Sequence, residues 1–176
     1  RLDQFVMLPM NSFAIAITTF VGQNIGAKKL DRAKKGIFQV LIFSQVVTVI
    51  LSVLVFFFGD NLMFLFMKDR EVMEVGLEIL RVLSLGYILV NTYVVLSGGI
   101  RGMGDSVAPL MASFTCNVII RVSLAYALVS RWRDFRMVFL SIVVAWTLCS
   151  VFVWTYSCAE YAAGSGSLQR GFGVII

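Results

Sequence analysis

Histidine is absent from this chain of 176 residues, and only two prolines occur. Without histidine, imidazole acid–base catalysis and the commonest metal ligand are missing. Cysteine is scarce as well. Cys116, Cys149 and Cys158 are an odd set, widely spaced within apolar runs, which argues against a disulfide framework or a zinc site. We expect all three to act as small buried hydrophobes. The sequence has no HExxH, no G-x-S-x-G and no carboxylate pair inside an apolar run. An enzyme is therefore not expected, nor a bound cofactor. Charge is the last shortage: Asp, Glu, Lys and Arg make up 14% of the residues, against about 25% in a soluble domain.

Apolar residues fill the gap. They are 59% of the chain, with a mean hydropathy of +0.89. A chain of this size cannot bury so much in its own core, so lipid must cover the remainder. Five long apolar runs are visible: Phe5 to about Ala27, Ile37 to Phe58, about Leu77 to Ser97, about Val107 to Val129, and Met137 to Ala159. Each matches the roughly 20 residues that a helix needs to cross a bilayer. Helices satisfy their own backbone groups there. The expected fold class is all-α, a polytopic membrane protein with five transmembrane helices.

The connections are short. Between the second and third runs lies a patch, "LMFLFM", too short to cross, and expected as an interfacial turn or a helix extension. "GGIRGMGDS" is glycine-rich, and Pro109 just beyond it suits the first turn of the next helix. It lacks the lysine and the strand–turn–helix setting of a phosphate-binding loop, so nucleotide binding is not expected. Residues 162–176 are rich in Gly and Ser and are expected to form a flexible cytoplasmic tail after a transmembrane unit of residues 1–161. The chain opens on Arg1 rather than Met, and we expect a piece of a longer protein.

The net charge is +5, and five basic residues crowd into positions 28 to 35 (Lys28, Lys29, Arg32, Lys34, Lys35). This is membrane-surface charge rather than a nucleic-acid footprint, and it places that loop on the cytoplasmic side. The remaining basic residues leave seven on each side of a five-span topology, Arg121 excluded. The compact cluster decides the orientation, with the N-terminus outside and the tail inside.

Polar residues at membrane depth carry the functional information. In the first run Ser12, Thr19, Gln23 and Gly26 form one stripe with Asn11, Thr18 and Gly22 beside it, while Phe13, Ile17, Phe20 and Val21 form a bulky apolar back. Gln45, Thr48 and Ser52 share a face of the second run; Ser84 and Asn91 share one in the third; Ser113, Asn117 and Arg121 share one in the fourth. Two readings stand: close helix packing with interhelical hydrogen bonds, or a water-filled solute path. We take Asn11, Thr18, Gln45, Asn91, Asn117 and Arg121 as candidate path residues, the polar faces of the helices turning toward one another. Arg121 costs about 2.5–3.5 kcal/mol at a helix centre. It must snorkel, line a cavity or lock two helices together.

The stretches "MLPMNSFAIAITTFVGQNIGAKKLDRAKKG", "GGIRGMGDSVAPLM" and "IIRVSLAY" together resemble the multidrug and toxic compound extrusion (MATE) transporters, over about Asp3 to Ala159. That family has twelve helices in two six-helix lobes, and the resemblance implies the C-terminal lobe from the eighth helix to the twelfth. It implies two cytoplasmic turns, at Gly22, Gln23, Asn24, Gly26 and Ala27, and at Arg101, Gly102, Gly104 and Asp105. It further implies a plasma-membrane antiporter that expels small organic cations in exchange for Na+ or H+ by alternating access, partnered by a missing N-terminal lobe. Val90 stands where some branches carry an aspartate, so the coupling carboxylate is expected in the missing lobe, and five helices alone are not expected to transport. A lipid-linked saccharide flippase of the same superfamily and a non-transporting truncated scaffold are the alternatives.

Overall fold

The computed structural model describes residues 2–66, 70–132 and 136–162. All regular structure among them is helical: α1 (Leu2–Gly26), α2 (Leu30–Phe66), α3 (Arg70–Gly102), α4 (Val107–Phe114), a π-helical turn (Thr115–Ile120), α5 (Arg121–Trp132) and α6 (Arg136–Ala162). The last four elements make two rods, since α4, the π turn and α5 run on as one continuous helix. The apolar patch after Gly59 extends α2, one of its two expected forms, and Pro109 sits in the first turn of α4. Helix α3 also begins before its apolar run, at Arg70. Ala162 closes α6 rather than opening a loose tail, and residues 163–176 lie outside the described residues.

Among the described residues, four stretches are long and apolar enough to cross a bilayer: Gln4–Gly26, Leu30–Gly59, Val107–Arg131 and Val138–Ala159. Only 11–28% of the residues in their apolar windows are buried in the bundle. Phe43, Phe57, Phe114 and Tyr126 are among the large side chains left on the outside. Water would penalise such a surface by about 25 cal/mol per Å² of apolar area; hydrocarbon does not.

Helix α3 is the hub. It packs against α1, α2, α4 and α6, and α5 packs on α6. Tyr87, Val90, Val95 and Ile100 of α3 are buried, and they divide the core into two clusters. At one end Val6 and Met10 of α1 meet Leu83, Tyr87 and Val90, with Trp146 of α6 alongside. The Tyr87 and Trp146 rings lie 6.3 Å apart, tilted by 32°. At the other end Ile17 and Val21 meet Ile37, Leu41, Val95, Leu96 and Ile100. Close approach of α1 and α3 depends on Gly98 and Gly102, one turn apart. A Cβ there would come within 2.6 Å of the Ala14 and Thr18 carbonyl oxygens respectively.

Two of the three cysteines, Cys116 and Cys149, are buried as expected. Cys158 is exposed instead, because it lies near the end of α6 at the open rim between α6 and α2.

Candidate functional site

The first turn of interest follows α1. Gly22 to Gly26 stay inside the helix, and the chain turns only at Ala27 to Lys29. The Lys28 N–H bonds to the Ile25 carbonyl at 2.8 Å and the Lys29 N–H to the Asn24 carbonyl at 2.8 Å. This paired pattern is the Schellman closure of a helix, whose left-handed position usually holds glycine. Here Lys28 holds it, at φ 58°. The glycines serve elsewhere: Gly22 faces the Gly102 carbonyl, and a Cβ on Gly26 would meet nothing within 4 Å. Gln23 is exposed; Asn24 turns its amide back onto the Phe20 carbonyl at 2.7 Å.

The second turn lies beside the first. Gly104 takes φ 95°. Arg101 is exposed, its Nε donating to its own helix at the Ser97 carbonyl, 3.3 Å away. Asp105 caps α4: its Oδ1 accepts from the Val107 and Ala108 N–H groups at 2.9 and 3.1 Å. Its Oδ2 accepts from the Tyr156 hydroxyl of α6 at 2.6 Å. Burial alone would raise the Asp105 carboxyl. The Tyr156, Ala108 and Val107 donors outweigh it and hold the group below its ordinary value. The motif residues of both turns thus gather at one end of the bundle, where α1, α3, α4 and α6 meet.

The six candidate path residues do not form one site. Gln45 and Asn91 come together: the Asn91 Nδ2 donates to Gln45 Oε1 at 2.8 Å and to Ser44 Oγ at 3.1 Å. Gln45 Nε2 donates to the Ile88 carbonyl at 3.1 Å, tying α2 to α3. Below this seam the Ser52 hydroxyl donates to the Ser84 carbonyl, and Thr48 is buried on the same face. Asn91 is fully buried, and its Oδ1 has no partner. Thr18 is a packing residue. Its hydroxyl donates to the Ala14 and Gly98 carbonyls at 2.7 and 2.8 Å, bridging α1 to α3. Asn117, within the π turn, donates to Cys149 Sγ at 3.8 Å.

Asn11 is exposed, and so is the stripe beside it: Ser12, Thr19, Gln23 and Gly26. The face opposite, with Ile17 and Val21, is the one in the core. The expectation that polar faces all turn toward one another therefore holds for α2 and α3 and fails for α1. Its small residues and apolar back provide the close packing, which leaves the polar stripe, interleaved with Leu8 and Ile15, facing away from the bundle.

Arg121 is half-buried and lines an open groove of about 490 Å³ on the outer side of α5 and α6. Tyr126, Val129, Ser130, Val138 and Ser141 complete most of its wall. The groove was not legible in the sequence beyond Arg121. The π turn just before Arg121 shifts the helical register there, and such turns concentrate at functional positions.

A bundle of lipid-clad helices, with a buried polar seam between two of them, is the architecture of a polytopic membrane protein. The MatE family model matches residues 1–127. A probable multidrug resistance protein NorM from Pasteurella multocida is 31% identical over 122 residues, 69% of this chain and 26% of that protein. The probable multidrug resistance protein YoeA of Bacillus subtilis is 25% identical over 73% of this chain and 28% of its own length. Protein DETOXIFICATION 29 of Arabidopsis thaliana is 25% identical over 76% of this chain and 29% of its own. Among solved structures, the inward-facing conformation of a multidrug resistance MATE family transporter of the MOP superfamily superposes with a TM-score of 0.81 at 17% identity. It covers 96% of this chain and 39% of that one. This chain belongs to the MatE family of multidrug efflux transporters. It spans little more than a quarter of the length of the curated relatives it matches.

Proposed function

We propose that the chain is part of the C-terminal lobe of a cation-coupled antiporter that exports amphipathic organic compounds, often cationic, by alternating access. In this reading residues 1–161 are the transmembrane part and residues 162–176 the cytoplasmic tail. Helix α3 is the fifth span, placed between α2 and α4. The basic stretch from Lys28 to Lys35, the turn after α1 and the first turns of α2, faces the cytoplasm of a cell whose plasma membrane holds the protein.

The observation that carries the proposal is the outward polar face of α1. Asn11, Ser12, Thr19 and Gln23 are exposed on a helix whose other side fills the core. The Ser12 and Thr19 hydroxyls return to the Leu8 and Ile15 carbonyls at 3.0 and 3.2 Å, so it is the side-chain amides of Asn11 and Gln23 that call for protein or water at membrane depth. A mixed surface of hydroxyls, amides, Leu8 and Ile15 suits a wet path for compounds that are themselves part apolar. The other lobe of such a transporter would close that path. The coupling ion, Na+ or H+, would act on an acidic residue of that lobe, since Val90 and Asn91 offer none at the depth of the α2–α3 seam.

Cells producing the complete reading frame are loaded with ethidium or a fluoroquinolone. Faster loss of the compound, abolished by collapsing the Na+ and H+ gradients, is the expected result. Equal retention with and without the protein removes the drug-efflux reading.

A further inference from the structure

At the basic end of the bundle, away from the Arg121 groove, α2 and α6 leave another groove of about 250 Å³ floored by Leu96 of α3. Its walls are Phe38 and Leu41 of α2 and Trp154 of α6, with Lys34 at its rim. Phe38 is 60% exposed and Trp154 46% exposed, so the groove opens on the outer, lipid-facing side of the bundle. We infer that it is a binding site for an anionic phospholipid of the leaflet this end faces.

Three independent features converge. The first is shape: the volume is below the roughly 300 Å³ at which drug-sized sites begin, yet the walls are almost entirely apolar and open, which suits a stretch of acyl chain lying along them. The second is charge. Lys34 is exposed at the rim, and Lys28, Lys29, Arg32 and Lys35 lie within six positions of it, with Asp31 the one acid in that stretch. Positions 34 and 41, both lining the groove, are about 10 Å apart along α2. That separation stacks a phosphate-binding cation above an apolar slot in the order that a lipid presents headgroup and chain. The third is Ser157. It is 4% exposed, lines the groove, and its Oγ has no hydrogen-bond partner. A buried hydroxyl left unpaired costs roughly 1–3 kcal/mol, and a glycerol or ester oxygen of a seated lipid would satisfy it. The inference depends on the membrane setting and not on the transport proposal.

The purified protein, delipidated in a non-ionic detergent, is titrated with phosphatidylglycerol and, separately, with phosphatidylcholine of the same chains. Native mass spectrometry reads the retained lipid. One basic residue at an anionic surface contributes about 1 kcal/mol, equivalent to about five-fold in affinity. Phosphatidylglycerol should therefore bind at least about five-fold more tightly, and Lys34→Gln should lower that preference by about five-fold while Lys28→Gln, in the turn outside the groove, keeps it. Cys158 also lines the groove and is exposed, so maleimide should alkylate it more slowly when phosphatidylglycerol is bound. This readout needs no variant. Equal affinity for the two lipids, equal losses in both lysine variants, or an unchanged Cys158 rate would each overturn the site. Displacement of the lipid by ethidium at the same groove would reassign it to substrate and overturn it as well.

Discussion

Gly102 and Gly26 carry the same side chain and hold opposite stakes. At Gly102 a Cβ would lie 2.6 Å from the Thr18 carbonyl oxygen and 2.8 Å from the Val21 Cβ, so alanine must push α1 off α3. At Gly26 the added methyl meets nothing. Overpacking of this kind costs about 1–3 kcal/mol. The thermal midpoint of the detergent-solubilised protein should fall in Gly102→Ala and stay within error in Gly26→Ala; equal shifts would show that the α1–α3 approach is not set there. Asp105 yields a second prediction. Its folded carboxyl is held below the ordinary 3.8, first against burial, which raises it, by the Tyr156 hydroxyl and then by two backbone donors. A depressed carboxyl stabilises the folded form above its unfolded value and stops doing so as pH falls through the folded value. Tyr156→Phe should therefore destabilise the protein near neutral pH. The gap between variant and parent should close below about pH 4, where the carboxylate is protonated in unfolded chains. Melting curves from pH 3 to pH 8 check this, and a gap independent of pH would assign the loss to packing alone.

Helix α2 is the longest element, 37 residues, or about 55 Å at 1.5 Å per residue, against a hydrocarbon layer of about 30 Å. Its ends therefore stand clear of the hydrocarbon, which is where Arg32, Lys34 and Lys35 belong. Its middle meets α3 through the Ser44, Gln45 and Asn91 seam. Hydrogen bonds between spans contribute about 0.6 kcal/mol on average and about 1.7 at most. A double-mutant cycle on Gln45→Ala and Asn91→Ala, read by unfolding in mixed micelles, should give a coupling inside that range; zero coupling would mean that the seam is held by its apolar neighbours. The two polar faces were legible in the sequence, because Gln45, Thr48 and Ser52 recur at helical spacing and so do Ser84 and Asn91; which residue pairs with which was not. The interruption at Thr115–Ile120 was not. Helix distortions usually advertise themselves through proline or glycine, and "TCNVII" contains neither. Nor did the turn after α1 announce itself. Two glycines drew attention to Gly22 and Gly26, while the left-handed residue is Lys28, which tolerates φ 58° because both Schellman hydrogen bonds close around it.

For the assembled protein, the class of fold follows from hydropathy alone, since runs of about 20 apolar residues leave a helix in lipid as the stable form. Which side of each helix faces inward does not follow. In water a polar stripe marks the outside. In a bilayer both lipid and the bundle interior accept apolar side chains, so the rule loses its sign. Helix α1 shows the consequence: its stripe was read correctly by spacing, and its direction was not. Asn11, Ser12, Thr19 and Gln23 leave the bundle on a side that none of α2 to α6 covers. Val46 and Phe57 of α2 are also exposed, on a face with no polar stripe. If the first surface lines a water-filled path and the second meets lipid, water-soluble reagents will tell them apart. In the complete transporter, with its native cysteines replaced, Thr19→Cys and Gln23→Cys should react with a membrane-impermeant maleimide applied to the open side of the path. Val46→Cys and Phe57→Cys should resist it. Ethidium in excess should slow the reaction at position 19, because a compound that uses the path must pass over that face. Labelling at positions 46 and 57 as fast as at 19 would mean that exposure in the bundle does not separate path from lipid, and the outward stripe of α1 would then have no claim on transport.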